Sequence, residues 1–144
     1  MNFGRVAVAA IAAWVAYLPM GYVVNEIVLK DIYAANAAAL RAPDAMNVWA
    51  GFAASLLGFF AFAYTYAKGY EGGDGMQEGV RFGVLVALLL TCFGTVWTYV
   101  TVPITGMLLF AWVVDAILEF SIYGAIVGAI YRPVAKQAYD AAPV

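Results

Sequence analysis

Histidine is absent from these 144 residues, and cysteine occurs once, at Cys92. Without histidine the chain lacks the commonest metal ligand and the usual general base. A lone thiol excludes a disulfide framework, a CxxC redox pair and a thiolate metal centre within one chain. Charge is also scarce, at 11% of residues, where a soluble domain carries about a quarter. Seven lysines and arginines against nine acids leave a net charge of −2, and they form no basic block, which argues against nucleic acid as a partner. No serine or cysteine sits beside a base in a nucleophilic pattern, so an intramembrane enzyme has the least support and no cofactor or metal is implied. Carboxylates, tyrosines and one thiol are the chemistry that remains.

What the chain has in abundance is hydrophobic residues, 66% of the total. Four apolar segments, 6–29, 48–67, 82–102 and 107–131, each reach the roughly 20 residues that a helix needs to cross about 30 Å of hydrocarbon. The expected fold is all-α: a single domain over 1–144, forming a four-helix bundle in the inner membrane with the bilayer as its first partner. Arg5 before an alanine-rich run imitates a signal peptide, but the apolar stretch continues through Gly21-Tyr-Val-Val, beyond the roughly 7–15 residues of an h-region, and reads as a retained helix.

Basic residues set the expected orientation. With the N-terminus in the cytoplasm, Arg5, Lys68, Arg81, Arg132 and Lys136 lie inside, and only Lys30 and Arg41 outside, so both termini are expected to be cytoplasmic. Trp49, Trp97 and Trp112 then mark outer helix ends, and Tyr64, Tyr66 and Tyr131 inner ones, with Trp14 as the exception within a span. In the first outer loop, Asp31 as a cap followed by Ile32 to Leu40 predicts a short interfacial helix before Pro43. Lys68 to Gly79 reads as a flexible acidic, glycine-rich connector whose acids lack EF-hand spacing, with Glu78 placed to support Arg81. Thr101-Val-Pro103-Ile-Thr-Gly106 predicts a tight outer turn between antiparallel neighbours.

Two carboxylates, Asp115 and Glu119, stand four residues apart in the last span and so share one helical face near the bilayer midplane. Counted at 1.5 Å per residue from the outer ends, Glu119 and Thr91 lie roughly 16 Å deep, Asp115 and Thr95 roughly 10 Å, and Glu26 and Thr98 roughly 5 Å. The three threonines share a face of the third helix, which predicts a polar ladder matched level by level to the acids. No lysine or arginine reaches that depth, so at least one acid is expected to keep its proton near neutral pH. In the first helix, Pro19 removes a partner from the Val15 carbonyl and, with Gly21, predicts a kink or break just before Asn25 and Glu26. Glu26 serves either that site or an ion pair with Lys30.

Gly124xxxGly128, Gly51xxxSer55 and Ala54xxxGly58 would permit close helix approach, within one bundle or toward a homo-oligomer or larger complex. The run Gly75-Met-Gln-Glu-Gly79-Val-Arg81-Phe-Gly83-Val-Leu, with Pro103 before the last helix and an Arg132-Pro133 ending, resembles a group of small four-span bacterial membrane proteins of unknown function. That resemblance spans roughly the second half of the chain and implies fold and location only. The chain also resembles the small multidrug transporters in its four short spans and a membrane glutamate in helix one, here Glu26, which lies near its span's end without their other motifs. Two functions follow: binding or transport of protons, a cation or a small cationic ligand at Asp115, Glu119 and Glu26, or an accessory subunit in which the acids bind helices together.

Overall fold

A computed structural model describes residues 1–131. It is all-helical, with no strand among the described residues, and four of its helices are long and apolar enough to span a membrane: Phe3–Val28, Val48–Gly69, Gly75–Thr101 and Gly106–Ile130. This makes it a membrane protein. Its surface accords with a lipid solvent, since Trp49, Phe93 and Leu57 are each more than 70% exposed. Arg132, Pro133 and Lys136, which entered the orientation and the resemblance, lie outside the described residues.

Each span begins at a residue whose side chain satisfies a free backbone N–H. Asn2 accepts from Arg5 at 3.1 Å, Asn47 from Ala50 at 3.1 Å, Asp74 from Gln77 at 3.0 Å and Thr105 from Leu108 at 3.3 Å. We label the α-helical pieces α1 (Phe3–Tyr22), α2 (Lys30–Ala35), α3 (Val48–Gly69), α4 (Gly75–Leu90), α5 (Val96–Thr101) and α6 (Gly106–Ile130). π-helical turns extend α1 over Val23–Val28 and join α4 to α5 over Thr91–Thr95.

These boundaries correct the sequence reading in three places. Helix α1 does not break at Pro19 and Gly21; it runs through both, and the departure from α geometry comes after them, in the π turn where Leu29 N–H reaches the Val24 carbonyl at 2.8 Å. Helix α2 is shorter than expected, because the Asn36 side chain turns back onto the Ile32 carbonyl and ends it. The third span starts at Gly75, so Gly75 and Gly79 belong to a helix and not to a flexible loop.

The reason for that early start is packing. Gly75, Gly79 and Gly83 fall one turn apart on α4 and lie against Gly128, Gly124 and Phe120 of α6, so tightly that a Cβ on any of the three glycines would overlap a backbone carbonyl across the interface. The connector is ordered by Glu78, whose carboxylate accepts from Glu71 N–H at 3.1 Å and Gly73 N–H at 2.6 Å instead of supporting Arg81. Gly72 adopts φ +97° there, a conformation few other residues take.

Helix α6 packs on α4 along one side and on α1 along another, and α1 in turn packs on α3. Helices α3 and α4 pack on these neighbours but hardly on each other. Their side chains meet near the connector, where Phe62 and Tyr66 contact Phe82 with ring centroids 4.8 and 5.6 Å apart. Beyond that contact a groove opens between α3 and α4. Trp14, out of place as an interfacial tryptophan, is explained by the α1–α3 seam: its indole N–H donates to Ser55 Oγ at 3.0 Å.

Candidate functional site

The groove contains a cavity of about 400 Å³, floored by α6 and α1 and walled by α3 and α4. Glu119 lies in its floor. Around it stand the rings of Tyr17, Phe59, Phe62, Phe82, Phe120 and Tyr123, with Gly58, Ala61 and Thr65 on the α3 side and Val86 and Leu90 on the α4 side. The rings support one another edge-on: Phe59 and Tyr123 lie 5.0 Å apart at 85°, and Phe120 and Tyr123 5.7 Å apart at 78°. The carboxylate therefore sits in a rigid aromatic pocket at mid-span, about 20 Å along α6 at 1.5 Å per residue.

Glu119 is half-buried, and no lysine or arginine among the described residues acts on it or on Asp115. One turn further along α6, Tyr123 is 1% exposed and its hydroxyl completes no hydrogen bond of good geometry. Glu119 lies within hydrogen-bonding influence of this hydroxyl without completing a bond of good geometry, and Asp115 and Tyr17 act on it through charge. Of the other hydroxyls of the cavity, Thr65 is engaged with the Ala61 carbonyl at 2.8 Å and Ser55 with Phe52 and Trp14, while the Tyr17 hydroxyl forms no hydrogen bond among the described residues.

Of the expected site residues, the structure places Glu119 in the cavity and the rest elsewhere. Asp115 is half-buried one turn nearer the N-terminal end of α6 and does not line the cavity. Asn25 and Glu26 are exposed on the π turn; Glu26 forms no hydrogen bond, and Asn25 accepts from the Tyr33 hydroxyl at 2.7 Å while donating to the Gly21 carbonyl at 2.8 Å. Thr91 is buried with its hydroxyl unpartnered, and Thr95 and Thr98 are half-buried, Thr98 donating to the Gly94 carbonyl of its own helix at 3.1 Å.

The ladder of threonines matched to the acids is thus corrected. The glycine contacts set the register, Gly83 against Phe120, which puts Glu119 level with Val84 and leaves Thr91 about seven residues away, roughly 10 Å at the α-helical rise. The polar neighbours of the acids come instead from the chain's first quarter. Trp112, Asp115, Glu119 and Tyr123 form one stripe along α6, and it meets Tyr17 of α1 in the cavity and Tyr33 of α2 near the N-terminal end of α6. There the Trp112 indole donates to the Tyr33 hydroxyl at 2.8 Å, continuing through Asn25 to the backbone of α1. Burial holds the Tyr33 phenol above the ordinary tyrosine range, opposed by the Trp112 hydrogen bond and reinforced by Asp115, Glu119 and Glu26.

Tyr123, Tyr17 and the phenylalanines escaped sequence reasoning. The signal for Tyr123 was its spacing of one turn from Glu119; the phenylalanines come from three helices and have no spacing that connects them. Asn36 was missed as well: it accepts from Thr105 N–H at 2.7 Å and donates to Thr105 Oγ1 at 3.1 Å, fastening α2 to the start of α6. No group of three or more His, Cys, Asp or Glu side chains that could hold a metal ion occurs among the described residues. The chain matches no protein-family model, no curated protein and no solved structure.

Proposed function

We propose that this protein is a multi-pass protein of the bacterial inner membrane that binds a monovalent cation at Glu119 and exchanges it for a proton. The observation that carries this reading is the carboxylate itself: half-buried at mid-span, without a basic partner among the described residues, and open to an aromatic-walled cavity. A carboxylate in such surroundings is stable only when neutralised, and either its own proton or a bound cation does so. The two therefore compete, which is the elementary step of coupled exchange. Aromatic faces around the carboxylate add attraction for an organic cation, whereas one carboxylate and a few phenols fall short of the six to eight oxygens that a hard divalent ion takes.

The rest of the reading follows the distribution of charge. Both termini face the cytoplasm, α2 lies on the outer interface as a brace across α6, and Lys68, 5.7 Å over the Tyr64 ring, anchors α3 at the inner interface. The test is proton flux in proteoliposomes driven by an imposed gradient of a monovalent cation, K+ and tetramethylammonium in turn, comparing wild type with Glu119→Gln and with Asp115→Asn/Glu119→Gln. Wild type should exceed both variants at equal protein content; equal flux in all three would remove exchange from the proposal.

A second reading is favoured by α3. Gly51, Ala54 and Gly58 are exposed, and a Cβ at Gly51 or Gly58 would meet nothing within 4 Å, which suits a helix of another subunit. An accessory subunit would co-purify in mild detergent with a stoichiometric partner, and its assembly would tolerate Glu119→Gln.

A further inference from the structure

The cavity also bears on which cation it takes. We infer that the ligand is a long-chain amine carrying N–H groups, a protonated primary alkylamine, that enters from the bilayer between α3 and α4. This rests on the assignment of Glu119 as the cation site and adds head-group chemistry, a tail and a route.

Three observations converge. The first is the Tyr123 hydroxyl, without a completed hydrogen bond and almost fully buried beside Glu119, at the tip of a side chain that lines the same cavity. A buried hydroxyl without a partner is costly, and a ligand that supplies a donor removes that cost. A primary ammonium carries three N–H donors, enough for the carboxylate and the phenol together; a quaternary ammonium carries none and leaves the phenol as it was. Sites that hydrogen-bond an N–H discriminate strongly against analogues lacking it.

The second observation is the direction of the opening. The cavity walls are exposed at Gly58, Ala61 and Leu90, surfaces that face hydrocarbon in a membrane-spanning bundle. A ligand with its head at Glu119 places its remaining length there. An alkyl chain is at home in that position and a hydrated inorganic ion is not. The third is Gly58 itself, where a side chain would meet open space, so the exit for a tail is kept clear by the absence of a Cβ.

The experiment is photolabelling in lipid nanodiscs with a long-chain primary amine bearing a diazirine in its tail, at neutral pH, with decylamine and decyltrimethylammonium as competitors of equal charge and similar tail. Decylamine should displace the label at a concentration lower by on the order of tenfold. Tyr123→Phe should remain labelled and lose most of that preference. Gly58→Leu should lose labelling while Gly51→Leu, placed in equally open space outside the cavity, keeps it; thermal melts of both variants verify the fold. Equal displacement by the two competitors, or an unchanged preference in Tyr123→Phe, would overturn the N–H requirement, and full labelling of Gly58→Leu would overturn the route. Glu119→Gln separates the levels: if it labels like wild type the cation site itself is wrong, and if it loses labelling while the head groups compete equally, only the present inference falls.

Discussion

Replacing Gly79 by alanine tests the contact on which the site's geometry depends. The added Cβ would overlap the Gly124 carbonyl oxygen and crowd the Gly128 Cα, both backbone atoms that no side-chain rotation can clear. Restoring ordinary van der Waals separation of about 3.5 Å requires α4 and α6 to part by roughly 1 Å or more along the interface. Forced overpacking of this kind costs about 1–3 kcal/mol, while alanine returns at most about 1 kcal/mol in helix propensity, so the net effect is a loss of up to about 2 kcal/mol. Gly51→Ala is the matched comparison, because its Cβ meets nothing within 4 Å and only the propensity gain applies. Reversible unfolding in mixed SDS micelles, followed by far-UV circular dichroism, should place Gly79→Ala below wild type and Gly51→Ala at or slightly above it. If both alanines behave alike, the interface is not set by glycine contact, and the register that separates Glu119 from Thr91 loses its basis.

Other outcomes follow from individual contacts. Trp14→Phe and Ser55→Ala should each lose about 0.6 kcal/mol in the same unfolding assay, and the double variant no more than either, since both remove one hydrogen bond inside the membrane. Asn36→Ala should cost about 1–3 kcal/mol by orphaning Thr105 N–H, and hydrogen exchange at Thr105 should accelerate. Because the Tyr33 pKa is raised in the fold, its contribution to stability is complete below the unfolded value near 10 and fades as pH climbs through the higher folded one; alkaline titration of Tyr33→Phe should show a shallower loss than wild type. Competition between proton and ligand predicts that photolabelling weakens as pH falls, because protonated Glu119 offers no charge, and that Glu119→Gln shows no such dependence.

Much of the architecture could be read without coordinates. Long apolar segments in a chain with few charges have one solution in a bilayer, the helix that satisfies its own backbone, so four spans and their approximate limits follow from composition and length. The midspan Glu119 was also visible, because a carboxylate stands out against hydrocarbon wherever it occurs. Its neighbours were not. Helix periodicity tells which residues share a face of one helix but says nothing about the height at which two helices meet, and counting inward from helix ends matched Glu119 to Thr91 when the glycine contacts set it beside Val84. Gly75 and Gly79 looked like loop residues because glycine signals flexibility in water, whereas in lipid, where burial of apolar surface no longer drives helices together, it signals close backbone approach. The cavity depends on α3 and α4 standing apart, α3 leaning chiefly on α1 and α4 on α6. That arrangement is a property of four packed surfaces at once, so it brings Tyr17, Phe62, Phe82 and Tyr123 around one carboxylate from four places in the chain, a meeting that tertiary structure alone decides.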